Sequence, residues 1–238
     1  MIASATRIDE IADQIYRIST PTEVVPGGFS FNQFLIVDED PVLFHTGLRG
    51  TFPLVKEAIG RVMAVEKLKY VSFSHFEADE SGALNQFLAV APNAVPLCGR
   101  IAAMTSINDQ ADRPPKVLVD GETLKLGRHV IQWHDTPHLP HGWESGLMSE
   151  STTRTFFCGD LFTHPGAQLP PVSESDILGP SEALRAKMNY FSSPQTGAGM
   201  IRKLAQTEPR LLATMHGSSW QGDGAKLLRT LADLLEKK

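Results

Sequence analysis

Seven consecutive residues, Ser74-His75-Phe76-Glu77-Ala78-Asp79-Glu80, put metal-ligand side chains at alternate positions. Residues two apart along an extended segment point the same way, so His75, Glu77 and Asp79 can converge. One cation could take His75 and Glu77, and a second could take Asp79. Three other places offer a histidine or a carboxylate just after a strand-like run: His138 and His141, Asp160, and His216. Each alone has a plain structural reading. A His-x-Glu-x-Asp triplet suits a solvated loop, Asp160 a turn or helix start, and His216 before Gly217 a satisfied structural histidine. Four strand-end loops that supply such residues in order point instead to a metal centre. His129 and His134 lack that support and are read as structural, with His164 as a neighbour of the site.

These residues need elements to position them. Runs rich in Val, Ile, Phe and Leu predict strands over residues 15–19, 33–37, 42–45, 70–74, 95–98, 116–119, 129–134, 155–159 and 211–215. Apolar residues at helical spacing predict helices over 52–62, 80–90, 101–107, 181–192, 199–206 and 225–236. The last is the clearest, with Leu227, Leu228, Leu231, Leu234 and Leu235 in one stripe and Gly222 or Asp223 at its start. Short turns at 38–41 and 120–122 imply antiparallel hairpins, whereas later strands are separated by helices. Residues 166–180 read as a surface loop. The class expected is α/β: two mixed sheets covered by helices, rather than a doubly wound parallel sheet.

Composition narrows the function. The chain has 238 residues and a formal charge of −5, with no basic block, which argues against a nucleic-acid partner. No apolar run approaches the ~20 residues a bilayer crossing needs, so no membrane role is expected. Residues 1–17 include Arg7, Asp9, Glu10 and Asp13 and no apolar stretch, so no secretory signal is expected. The only cysteines, Cys98 and Cys158, are read as reduced, buried thiols. A cytoplasmic protein with one domain over residues 1–238 is the expectation.

The ordered set resembles the metallo-β-lactamase fold, whose motif is His-x-His-x-Asp-His followed by a His, a bridging Asp and a final His. Glu77 at the second position is similar to the flavodiiron proteins, whose diiron domain uses His-x-Glu-x-Asp. The stretch from His141 through Glu144-Ser145 to Met148 resembles that family's His-Trp-Pro-Asp-Ser-Met segment. Phe157-Cys158-Gly159-Asp160 resembles its strand ending in the bridging Asp, Met188-Asn189-Tyr190-Phe191 its Tyr-Tyr segment, and Met215-His216-Gly217-Ser218 its Ser-His-Gly close. Residues 32–38 resemble its first hairpin. Three departures stand out. Glu80 replaces the usual His after Asp79, so a ligand is missing or is supplied by Glu80 or solvent. His45-Thr46-Gly47 replaces Asp-Thr-Gly, which makes His45 a candidate for orienting a ligand. The flavodoxin-like domain that binds FMN in that family has no counterpart, and Gln195-Thr196-Gly197-Ala198-Gly199 is read as a helix-start loop, not a flavin phosphate loop.

The resemblance implies an αββα sandwich and a stand-alone diiron domain like the oxygen-binding diiron proteins, with no flavin bound by this chain. One iron is assigned to His75, Glu77, His141 and Asp160, the other to Asp79, Asp160 and His216. His138 competes with His141; spacing to Glu144-Ser145 favours His141 and leaves His138 in the pocket with Glu80, His164 and Tyr190. A donor set of imidazoles and carboxylates without cysteine suits iron, with zinc and manganese compatible. Three carboxylates against two divalent ions leave a single net positive charge, which eases oxidation. The ligand expected is O₂ or NO, bound or reduced, with an external electron donor or a signalling partner and with a homodimer compatible. The alternative is a metal-dependent hydrolase, in which a metal-bound hydroxide attacks an ester, lactone or phosphodiester.

Overall fold

A computed structural model describes residues 6–23 and 25–237. The first five residues of the segment read as lacking a secretory signal lie outside the described residues, as do the ends of the domain expected over 1–238.

Among the described residues, fourteen strands form two sheets. The first holds β1 (Arg7–Ala12), β2 (Ile15–Thr22), β3 (Phe29–Ile36), β4 (Val42–Phe44), β5 (Tyr70–Ser72), β6 (Val95–Gly99) and β7 (Lys116–Leu118), in chain order across the sheet. Its first four strands are antiparallel neighbours, and β4 to β7 are parallel. The second holds β8 (Thr123–Lys125), β9 (Val130–Asp135), β10 (Gly146–Glu150), β11 (Thr155–Phe157), β12 (Val172–Ser173), β13 (Leu211–Ala213) and β14 (Ser219–Gln221), in the order β12-β14-β13-β11-β10-β9-β8. The helices are α1 (Phe52–Gly60), α2 (Ala78–Ser81), α3 (Leu84–Val90), α4 (Arg100–Ala102), α5 (Asn108–Gln110), α6 (Leu178–Met188), α7 (Pro194–Leu204) and α8 (Gly224–Glu236).

The central strands of both sheets are buried on both faces, which is why they read as continuous apolar runs rather than alternating ones. Neighbouring residues serve different layers. Leu35 packs under α1 and α3 with Ile18, Val71 and Phe87, whereas Phe34 faces the other sheet with Phe44, Trp133 and Phe157. Phe156 joins Leu212, Ile201, Leu228 and Leu231 beneath α7 and α8. The result is helix, sheet, sheet, helix, as the resemblance implies. Phe157 anchors the middle, its ring centroid 5.5 Å from Phe34 and 5.4 Å from Phe44. Phe157→Ala is therefore expected to cost about 3–5 kcal/mol, read as a lower urea midpoint with unchanged slope. A loss under 1 kcal/mol would mean the two sheets close around the gap.

The helix expected over 80–90 is two helices, α2 and α3, separated at Gly82. A Cβ there would come within 3.2 Å of the Arg49 amide nitrogen and closer still to the Ala78 carbonyl. The helix expected over 199–206 begins at Pro194, so the Gln195–Gly199 stretch is helix rather than the loop before one. Its Gly197 lets α7 approach Leu139, whose Cδ1 a Cβ would meet at 2.8 Å. The 166–180 loop contains β12 and the start of α6. Both cysteines are free and buried, and burial pushes the Cys98 thiol up to about 12 and raises the Cys158 thiol well above its ordinary value. No helix among the described residues is long and apolar enough to cross a membrane.

Candidate metal centre

Parallel register sets the site. Phe157 of β11 is level with Ala213 of β13, and the pairing runs on through the Met215 amide donating to the Gly159 carbonyl at 3.0 Å. Residues three beyond each strand, Asp160 and His216, therefore emerge at the same height. His75 leaves β5 by the same offset, from the opposite sheet. The Gly146 amide of β10 donates to the Ser74 carbonyl at 2.8 Å and so fastens that loop to the second sheet. His141 hangs in the loop between β9 and β10. All four segments meet where the sheets part.

Six of the side chains singled out in the sequence form two groups around Asp160. The Nε2 atoms of His75 and His141 lie 3.6 and 3.4 Å from its Oδ2, and Nε2 of His216 lies 3.2 Å from its Oδ1. Glu77 stands 3.1 Å from His141 and 3.7 Å from His75, and Asp79 stands 3.4 Å from His216. Donors bound to one metal at about 2.1 Å stand roughly 3 to 4 Å apart, so both groups have the spacing of a coordination shell. Glu80 joins Asp79 and His216, with ligand atoms all within 4.8 Å of one another.

The hydrogen bonds say what must fill the centre. Nδ1 of His141 donates to the Tyr190 carbonyl at 3.0 Å, and Nδ1 of His216 donates to the Ser30 carbonyl at 2.9 Å. A carbonyl only accepts, so each Nε2 turns a lone pair inward. There it faces carboxylate oxygens, which are also acceptors. His75 Nε2, His141 Nε2 and Asp160 Oδ1 are buried and have no hydrogen-bond partner. Acceptors facing acceptors need a cation, or protons standing in for one. Without metal, protons take that part. Burial alone would lower the His216 pKa, but the carboxylates of Asp160 and Asp79 beside it raise it to about 10. The neighbouring imidazoles of His141 and His75 hold the Glu77 carboxyl below the usual range. Burial works against ionisation of Asp160, but His216 overcomes it and keeps that carboxyl low too. The imidazole and carboxylate donors fit iron, manganese or zinc.

Residues around the centre hold the donors still. Ser74 Oγ lies 3.0 Å from both His75 Nδ1 and His45 Nε2, so His45 orients His75 through a hydroxyl. Burial, then the neighbouring His75, lowers the His45 pKa to about 3, leaving a neutral ring. Ser74→Ala is expected to weaken metal binding about tenfold while the protein stays folded, measured by competition with a chelator. Unchanged affinity would remove the relay from the account. Tyr190 lies in the pocket, its hydroxyl donating to the Asp160 carbonyl at 3.3 Å. Asn189, left-handed at the end of α6, turns the chain to present it. His164 sits beneath the last loop, where its Nε2 accepts from the Ser218 amide at 2.9 Å. His138 is exposed and outside both groups; only its amide serves, donating to the Gly142 carbonyl at 2.8 Å. His134 bonds Ser149 and His129 pairs with buried Glu150, so both are structural.

Several supports were not foreseen. Phe29 stacks on His216 at 4.4 Å between ring centroids, and the Glu144 carboxylate takes the Phe76 amide at 2.9 Å. Arg17 and Asn32 both donate to the Gly217 carbonyl, at 2.8 and 2.9 Å. The Asn32 and Glu144 segments carried the resemblance, but nothing near Phe29 in the sequence signals a distant histidine.

Known proteins share this arrangement of elements. A rubredoxin oxygen:oxidoreductase structure from Desulfovibrio gigas superposes with a TM-score of 0.83 at 21% identity, over 98% of this chain and 62% of that one. The rubredoxin-oxygen oxidoreductase of Megalodesulfovibrio gigas is 28% identical over 210 residues, 83% of this chain and 50% of that protein. The anaerobic nitric oxide reductase flavorubredoxin of Salmonella arizonae is 29% identical over 217 residues, 84% of this chain and 43% of that protein. The chain thus spans half or less of the length of these curated relatives. The model of the family described as "ODP family beta lactamase" matches residues 29–217, a span that includes every candidate ligand from His75 to His216, and this chain belongs to that family.

Proposed function

We propose that this chain is a non-haem diiron protein that binds O₂ or NO, as an oxygen-binding or sensing protein or as a reductase served by an external electron donor. The observation that carries the reading is Asp160, whose two oxygens face two separate donor groups. His75, Glu77 and His141 would hold one iron, Asp79 and His216 the other, and Asp160 would join them. Iron held by these residues would supply the electrons for binding or reducing a diatomic ligand. His75, Asp160 and His216 are buried, so protein rather than water surrounds most of the centre. Glu77 is the most open donor, with His141 and Asp79 half-buried, so a small ligand would enter past Glu77.

The relatives support this choice: the names of the two curated proteins cited join oxygen or nitric oxide to reduction. The hydrolase alternative gains nothing from Glu77, which adds negative charge where an attacking hydroxide must form. An electron donor or signalling partner outside the described residues, a homodimer, a cytoplasmic address and one domain across residues 1–238 complete the proposal.

Metal content after growth in iron-rich medium tests it. About two irons per chain and an absorbance change when the anaerobic, reduced protein meets O₂ or NO are expected. Two zincs persisting under iron-rich growth, or no spectral response from the iron-loaded protein, would overturn it.

A further inference from the structure

Glu80 departs from the pattern the resemblance implies, and its side chain points into the centre. It is fully buried, and neither carboxylate oxygen has a hydrogen-bond partner among the described residues. Its Oε2 lies 3.9 Å from His75 Nε2, and its carboxylate groups with Asp79 and His216. The backbone is clamped in this pose. The Glu80 carbonyl accepts from the Thr46 amide at 2.7 Å and from its hydroxyl at 3.2 Å, and the Thr46 hydroxyl accepts from the Ala83 amide at 3.0 Å. The His45-Thr46-Gly47 turn after β4 thus holds α2 so that Glu80 faces Asp79 and Asp160. A buried carboxylate beside two others, without a donor, is a costly arrangement that a cation relieves.

We propose that Glu80 is a fourth carboxylate ligand, closing the second metal position beside Asp79, Asp160 and His216 where the family usually places a histidine. This rests on the diiron reading above and deepens it. It makes the two positions unequal. The first has two imidazoles and two carboxylates, from His75, His141, Glu77 and Asp160. The second has one imidazole and three carboxylates, and its harder donor set favours iron or manganese over zinc. Four carboxylates also balance two divalent ions, so the ferrous centre is neutral and removing electrons leaves less uncompensated charge than in a histidine-bearing centre.

Anaerobic titration of the metal-free full chain with ⁵⁷Fe(II), wild type against Glu80→Gln, tests this by affinity and by Mössbauer spectroscopy. Wild type is expected to take two irons with two distinct quadrupole doublets. E80Q is expected to keep the first iron at wild-type affinity, bind the second at least about tenfold more weakly and lose one doublet. Metal-free E80Q is expected to melt no lower than wild type, because the amide offers Asp79 and Asp160 a donor. Two irons bound by E80Q with wild-type affinity and spectrum would overturn the role of Glu80 and leave the diiron centre standing. Lost metal with a melting temperature several degrees lower would also overturn it, making Glu80 a group that serves the fold. Fewer than two irons in wild type would overturn the centre itself, and this inference with it.

Discussion

Asp160→Asn is expected to empty both halves of the centre at once. The substitution preserves shape and the backbone contacts at this position, where the Asp160 carbonyl accepts from Thr163 Oγ1 at 2.8 Å and from Tyr190. It changes only what the side chain offers. One carboxylate oxygen becomes an NH₂ group, which cannot donate a lone pair, and the negative charge that both donor groups share is lost. Either orientation of the amide deprives one position of its ligand, and both lose the charge. Affinity is expected to fall by more than about a hundredfold, beyond the range for residues that merely orient a ligand. Protein purified from iron-rich growth would carry well under one iron per chain and show no absorbance change with oxygen. The metal-free variant should fold, because the carboxylate it loses faced inward-turned donors rather than the core. Two irons in D160N would show that Asp160 does not join the two groups.

The second large effect is the dependence of metal binding on pH. In the metal-free protein His216 is fully buried, and Asp160 and Asp79 hold its proton until about pH 10, against 6.5 for an unperturbed histidine. A metal at Nε2 must displace that proton. Apparent affinity at the second position is therefore expected to rise about tenfold per pH unit, roughly a hundredfold from pH 6 to pH 8. Calorimetry in buffers of different ionisation enthalpy would detect the released proton, and a flat affinity over that range would exclude the displacement. The same proton acts on stability. The folded state binds it more tightly than the unfolded chain, so its contribution is complete below pH 6.5 and drains away as pH rises through about 10. His45 acts with the opposite sign, since its folded pKa is depressed to about 3. The unfolded chain takes up that proton first, so this contribution is present above pH 6.5 and is lost as pH falls toward 3. Metal-free protein is thus expected to lose stability at both acid and strongly alkaline pH.

What the sequence disclosed follows a physical boundary. The runs that became β5, β11 and β13 are buried on both faces, so their apolar character is continuous, and the residues after them stood out as polar. His75, Asp160 and His216 were legible for that reason. The strands that escaped notice, β1, β8, β10, β12 and β14, are short, polar or poor in branched residues; Gly146-Leu147-Met148-Ser149-Glu150 has no β-branched member. Pairing with a distant neighbour makes such segments strands. The split between α2 and α3 was hidden likewise, because Gly82 is required by the close approach of the Ala78 carbonyl and the Arg49 amide, which composition does not reveal. Candidate ligands could be named because metals demand particular residue types. Ser74, Phe29 and Glu144 could not, because orienting a ring asks only for a hydroxyl, a face or a carboxylate in the right place.

The ties between the ends of the chain bear on how such a protein is made. Asn32 of β3 donates to the Gly217 carbonyl across 185 residues of sequence, and Ser30 supplies the carbonyl that orients His216. The proposed centre combines His75, His141, Asp160 and His216, so a growing polypeptide lacks the last donor until residue 216 has been synthesised. Filling both positions would have to follow synthesis of His216, and a chain interrupted before it would offer at most half a centre. A bound ion would then fasten the first hairpin to the final loop, so the filled protein should unfold more slowly than the empty one.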